Sequence, residues 1–178
     1  MEHYFISDLH FNHDAAATFR HFKDTDEMNR FLIKRLANIV RTSLDKEIKL
    51  YHVGDFAFKD NKLYWKNYLP SNTIFIRGNH DSISISHIEA QIISWNGYKV
   101  EIVHNPRDAT ETTPIVIHGH IHKTGNRTYA EGTQSFEKFP YIHKRNNTYY
   151  YNVCCEFHKF KPKLLNEIVG ELKQVGLK

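Results

Sequence analysis

The chain of 178 residues holds 13 histidines, and several share short segments with aspartate, asparagine and glycine in spacings that suit metal ligation. Asp8-Leu9-His10 sets two candidate ligands two residues apart, so on extended backbone both side chains point the same way. Gly119-His120-Ile121-His122 does the same with two imidazoles. Gly78-Asn79-His80-Asp81 joins a glycine, which lets backbone approach a site, to an amide, an imidazole and a carboxylate able to orient that imidazole. Gly54-Asp55 and His104 complete the set. Singly, each has an ordinary reading as a turn aspartate, a surface histidine pair or a satisfied loop histidine. All five being ordinary at once is a different matter. Together Asp8, His10, Asp55, Asn79, His104, His120 and His122 offer two carboxylates, an amide and four imidazoles. That exceeds the four positions of a closed zinc site and suits two ions sharing a bridging carboxylate. With no cysteine in the set, the N/O mixture admits Mn, Fe, Zn or Ni without choosing among them.

Two ions about 3.5–4 Å apart lower the pKa of a bridging water and neutralise phosphate oxygens as charge builds in an in-line displacement. The leaving alkoxide still needs a proton. A histidine beside the ions that does not ligate them can supply it, and His80 is the candidate.

Elements must bring these residues together from distant parts of the chain. Met1 to Ser7, Glu47 to Val53, Thr73 to Arg77, Tyr98 to Val103 and Ile115 to Ile117 read as strands, and each motif follows one of them directly. In α/β sheets ligands gather beyond the carboxyl ends of the strands, so the motifs can converge. Asp24, with Glu27 three residues on, resembles a capping box. Met28, Leu32, Leu36, Ile39 and Val40 then follow at helical spacing to about Thr42. Residues 9 to 25 read as a loop, and Lys62 to Tyr68 as a short helix before Pro70. Asn96-Gly97 joins Ala90–Trp95 to Tyr98–Val103 as a two-residue hairpin turn. Residues 123 to 147 read as polar and irregular. Thr148 to Val153 is a strand, with Tyr149-Tyr150-Tyr151 as packing, and a helix runs from about Asn166 to Val175. A βαβαβ beginning followed mostly by strands predicts a layered α/β sandwich.

Composition is globular: 40% hydrophobic, 25% charged. The length suits one domain over residues 1–178. No apolar run approaches the roughly 20 residues of a membrane span, and a strand-like start leaves no room for a signal peptide. The expectation is a cytoplasmic protein with no membrane partner. A net charge of +4 is compatible with nucleotide or nucleic-acid substrates without demanding them. Adjacent Cys154 and Cys155 sit about 3.8 Å apart at Cα, too close for an unstrained disulfide, and are expected to be reduced.

In order and spacing, Asp8-Leu9-His10, Gly54-Asp55, Gly78-Asn79-His80-Asp81, His104 and Gly119-His120-Ile121-His122 resemble the signature blocks of the calcineurin-like metallophosphoesterases. The small uncapped bacterial and phage members are the most similar, through Phe5-Ile6-Ser7-Asp8-Leu9-His10-Phe11-Asn12-His13 and through Asn152-Val153 with Lys161-Pro162. The resemblance implies a four-layer sandwich, two mixed β-sheets flanked by helices. It implies two divalent ions, Mn²⁺ foremost: Asp8, His10 and His122 on the first, Asn79, His104 and His120 on the second, Asp55 bridging. His80 would contact phosphate and protonate the leaving group, oriented by Asp81. A metal-bridging hydroxide would attack directly, without a phosphoenzyme. The favoured activity is a phosphodiesterase on nucleotides or nucleic acid. A phosphomonoesterase or protein phosphatase is the alternative, and an inactive protein-binding scaffold a remote one. His13, Arg77 and Arg127 are candidate substrate contacts. So is the loop carrying Asn12, Arg20 and His21. His118 is read as structural.

Overall fold

The computed structural model describes residues 1–59, 62–123 and 132–178. Its strands form two mixed sheets. The first has the order β10-β1-β2-β3, from Lys163–Leu164, Glu2–Ile6, Ile48–Val53 and Ile74–Ile76; β1, β2 and β3 are parallel and β10 is antiparallel to β1. The second has the order β4-β5-β6-β9-β8-β7, from Ala90–Trp95, Tyr98–Val103, Ile115–His118, Thr148–Asn152, Phe139–Arg145 and Gln134–Phe136. Its central strands β5, β6 and β9 are parallel and the outer ones antiparallel. Beyond their strand ends β1 and β9 meet: Ser7 N–H donates to Val153 O, and Cys155 N–H to Ser7 O. This seam joins the carboxyl ends of both parallel sets, where the motifs lie.

Side-chain alternation divides the core. Phe5, Tyr51, Val53 and Ile76 face one way from the first sheet. They meet Val100, Ile102, Ile115, Ile117, Tyr149 and Tyr151 of the second, with Leu165, Ile168 and Leu172 of α3 (Leu165–Gln174). The other face of the first sheet is covered by α1 (Asp14–Phe19), α2 (Thr25–Asp45) and a 3-10 helix at Lys62–Tyr68. The fold is therefore two mixed sheets flanked by helices, as expected. Asp24 caps α2, accepting from Glu27 N–H at 2.8 Å, while Glu27 takes Lys23 N–H at 2.7 Å. Met28, Leu32, Leu36 and Ile39 are its buried stripe. Among the described residues no helix is long and apolar enough to cross a membrane, and both cysteines are free and buried.

Two sequence expectations need correction. Residues 9 to 25 are not all loop, because Asp14-Ala15-Ala16-Ala17 opens α1, which buries Ala16 and Ala17. Residues 123 to 147 are not irregular throughout, because 134–145 form the β7–β8 pair at the sheet edge. Proline is disfavoured inside a sheet, and Pro140 shows where it is admitted. It sits one residue into β8 beside a register shift, where a missing N–H is tolerated. The hairpin turn is as expected, with Asn96 at φ 45° and Gly97 at φ 85°.

Two histidines are fully buried: His52 on β2, beside the rings of Phe56 and Phe75, and His118 on β6. Burial disfavours the imidazolium and lowers each pKa to about 3. The unfolded chain binds these protons near pH 6.5 and the folded chain does not. Stability from both sites is thus fully present above pH 6.5 and is lost as pH falls toward 3, by about 1.4 kcal/mol per pH unit per site. Urea unfolding at pH 7.5, 6, 5 and 4 should show the loss. His52→Leu should flatten the curve below pH 6; an unchanged slope would remove His52 as a source.

Candidate metal centre

Each ligand candidate occupies the first residues beyond a strand, and the backbone there is unusual. Asp8, His10, Asp55 and His120 all have positive φ, at 57°, 53°, 57° and 67°. Left-handed backbone is rare for residues other than glycine, though Asn, Asp and His adopt it more readily than most. It costs of order 1–3 kcal/mol per residue and persists where surrounding structure enforces it. Here the enforcement is a ladder between the two loops: Asp8 N–H donates to Gly54 O, His10 N–H to Asp55 O and Phe11 N–H to Phe56 O. Glycines let the loops close. A Cβ on Gly78 would lie 2.2 Å from Asp55 Oδ1, and one on Gly119 would lie 2.6 Å from Asp8 Oδ2.

The polar atoms converge in two groups. In one, His10 Nε2 lies 3.3 Å from His122 Nε2, and Asp8 Oδ1 lies 3.8 Å from the first and 3.7 Å from the second. In the other, Asn79 Oδ1 lies 3.1 Å from His104 Nε2 and 3.0 Å from His120 Nδ1. Asp55 Oδ2 stands between the groups, 3.8 Å from His10 Nε2 and 3.4 Å from His104 Nε2. Asp8, His10, Asp55 and His104 are buried, while Asn79 and His80 are exposed at the mouth.

The electrostatics are those of a site that wants positive charge. Burial pushes the Asp8 carboxyl up, against the pull of His104 and His122. It pushes His10 down to about 2. Burial also opposes charge on His104, but Asp55 and Asp8 outweigh it and hold that imidazole at about 9. Burial would raise Asp55 too, yet His104 and His10 keep it well below the usual carboxylate range. The proton on His104 neutralises Asp55 where a cation would displace it. Two imidazole nitrogens facing each other at 3.3 Å also call for a proton or cation between them. The donor set fits divalent ions.

The other expectations fare differently. His80 has its N–H on Asp55 Oδ1 at 3.0 Å, and its ring centroid lies 6.1 Å from that of His10. The expected orientation of His80 by Asp81 is corrected. The Asp81 hydrogen bonds run to backbone, its carboxylate accepting Asp55 N–H at 2.8 Å, Phe56 N–H at 2.9 Å and Gly78 N–H at 2.9 Å. Asp81 thus ties the Gly54-Asp55 loop to the Gly78-Asn79 loop. His13 lies at the site, stacked on Phe58 with centroids 3.7 Å apart and its ring 5.3 Å from that of His10. Arg77 pairs with Glu89 and lines a cleft of about 350 Å³ beside Asn79 and His104. Arg127 lies outside the described residues. Arg20 is corrected from a substrate contact to a residue behind the ligands. Its side chain is 2% exposed and donates to Asp8 O at 2.6 Å and Leu9 O at 2.9 Å. His118, with Nδ1 on Gly119 O at 2.8 Å, is structural as expected.

Glu156 escaped the sequence reading. It accepts from His122 Nδ1 at 2.8 Å and from Arg20. The signal was available, because Glu156 follows β9, another parallel strand whose carboxyl end opens on this site.

No family model matches the chain. The uncharacterised protein MJ1445 of Methanocaldococcus jannaschii is 34% identical over 175 residues, covering 93% of this chain and 88% of its own. The crystal structure of AQ665, a protein of unknown function from Aquifex aeolicus, is 25% identical with a TM-score of 0.66, covering 95% of this chain and 98% of that one. The structure of Yfce, a phosphoesterase from E. coli, is 15% identical with a TM-score of 0.47, over 85% of this chain and 78% of its own.

Proposed function

We propose that the chain is a calcineurin-like metallophosphoesterase and, on that premise, a dinuclear-metal phosphodiesterase acting on nucleotides or nucleic acid. The observation that carries the reading is the position of Asp55, whose Oδ2 faces both His10 Nε2 and His104 Nε2 within 3.8 Å. One carboxylate shared by two donor groups is what a two-ion site requires. Asp8, His10 and His122 would hold the first ion, and Asn79, His104 and His120 the second, with Asp55 common to both. Manganese is the favoured metal. When bound, the ions would acidify a water and neutralise charge on the phosphate.

The chain's own residues do the rest. His80, exposed at the mouth with its backbone fixed by Asp55, gives the leaving oxygen its proton. His13, stacked on Phe58, forms the adjoining wall. Arg77 lines the cleft on the Asn79 side and meets the part of the substrate beyond the scissile phosphate. An open cleft and a net charge of +4 suit a polyanionic diester.

The test compares bis(p-nitrophenyl) phosphate with p-nitrophenyl phosphate on protein loaded with Mn²⁺. Faster hydrolysis of the diester is expected. The reverse preference would move the assignment to a phosphomonoesterase, and inactivity on both with no metal bound would overturn the enzyme reading.

A further inference from the structure

Behind the first donor group lies a buried ion pair that the proposed chemistry does not use. The Arg20 and Glu156 side chains are 2% and 7% exposed. Glu156 Oε1 accepts from Arg20 Nε at 3.0 Å, Arg20 Nη2 at 2.9 Å and His122 Nδ1 at 2.8 Å, while Oε2 accepts from Lys123 N–H at 3.0 Å. Arg20 Nη2 also donates to Asp8 O at 2.6 Å, and Nη1 to Leu9 O at 2.9 Å. Phe19 and Phe160 cover the guanidinium. Burying such a pair brings little net stability, since well-packed apolar residues often serve as well or better. Its hydrogen bonds instead run to the two loops that carry Asp8, His10 and His122.

We infer that Arg20 and Glu156 form a positioning pair for the first metal ion, an inference that rests on the function proposed above. Glu156 Oε1 accepts a hydrogen bond from His122 Nδ1–H. That leaves the lone pair on Nε2, the atom 3.3 Å from His10 Nε2 and 3.7 Å from Asp8 Oδ1. Carboxylates that hold a ligating histidine in this way set its tautomer and ring orientation. Arg20 fixes the other side. It grips the carbonyls of Asp8 and Leu9, where Asp8 and His10 hold left-handed backbone, and links that loop to the same carboxylate. One ion pair thus couples ligand loops far apart in sequence, and neither of its members touches substrate.

Two measurements on the full chain decide this. In the metal-free wild type, nitrogen-15 NMR of neutral His122 should show the proton on Nδ1. In Mn²⁺ calorimetry the wild type should take up two ions, and Glu156→Gln should weaken one of the two steps by about 10–100-fold while leaving the other unchanged. Arg20→Lys, which keeps the charge but loses the fork, should weaken the same step. If Glu156→Gln fails to fold, Arg20→Lys and the wild-type tautomer still decide. Wild-type affinity at both steps in the variants, or a proton on His122 Nε2, overturns this inference alone. A wild type that binds no Mn²⁺ overturns the proposed function and this inference together.

Discussion

Asp55→Ala is expected to bind neither ion tightly and to lose activity by about three orders of magnitude or more, because metal activation supplies several kcal/mol of transition-state stabilisation. The reason lies in where the carboxylate stands. Oδ2 faces both imidazole groups, and Oδ1 holds the His80 backbone. Alanine removes the shared ligand and the strap on the proton donor together. It also leaves His104 without the partner that most favours its charged form. The fold should survive, because the Asp55 backbone is held independently by Asp81 and by His10 N–H. Metal content and turnover measured on one sample check this. A folded variant that retains two ions would show that Asp55 is not the bridge.

His80→Ala is expected to behave in the opposite way toward metal. His80 is exposed, and its side chain is in neither donor group. Metal content should therefore match the wild type, while turnover falls by about 10²–10⁴-fold, the range of a general acid. The loss should depend on the substrate. Nitrophenolate leaves readily without a proton, so a nitrophenyl ester should be hydrolysed with a small penalty. An alkoxide needs the proton, so a dinucleotide should show the full effect. Equal losses on both substrates would show that His80 acts on the phosphate and not on the leaving group.

The ligand candidates were legible in the sequence because each strand announces its own end. Apolar runs such as Tyr4-Phe5-Ile6 and Ile115-Val116-Ile117 reach Asp, Gly, Asn or His within two residues of their ends, and parallel strands deliver those stops to one side. Glycine supplied a second signal, since Gly78 and Gly119 sit where a Cβ would strike Asp55 and Asp8. What was not legible depends on contacts between distant segments. Nothing near Arg20 in sequence says that it turns inward to meet Glu156, 136 residues away. Asp81 beside His80 suggested a partnership, but the tertiary fold offers its carboxylate three backbone N–H groups instead. The β7–β8 pair was hidden for a related reason, because the buried residues of β8, Phe139, Ile142 and His143, do not alternate along the strand. The register of β8 on β9 supplies what its own sequence lacks.

The dinuclear centre itself is tested most directly by a crystal structure of the wild-type chain grown with Mn²⁺ and phased on the metal's anomalous signal. The result expected is two manganese ions about 3.5–4 Å apart, with Asp55 between them, His10 and His122 on one, and His104 and His120 on the other. A single ion at full occupancy, or two ions that Asp55 does not touch, would contradict it.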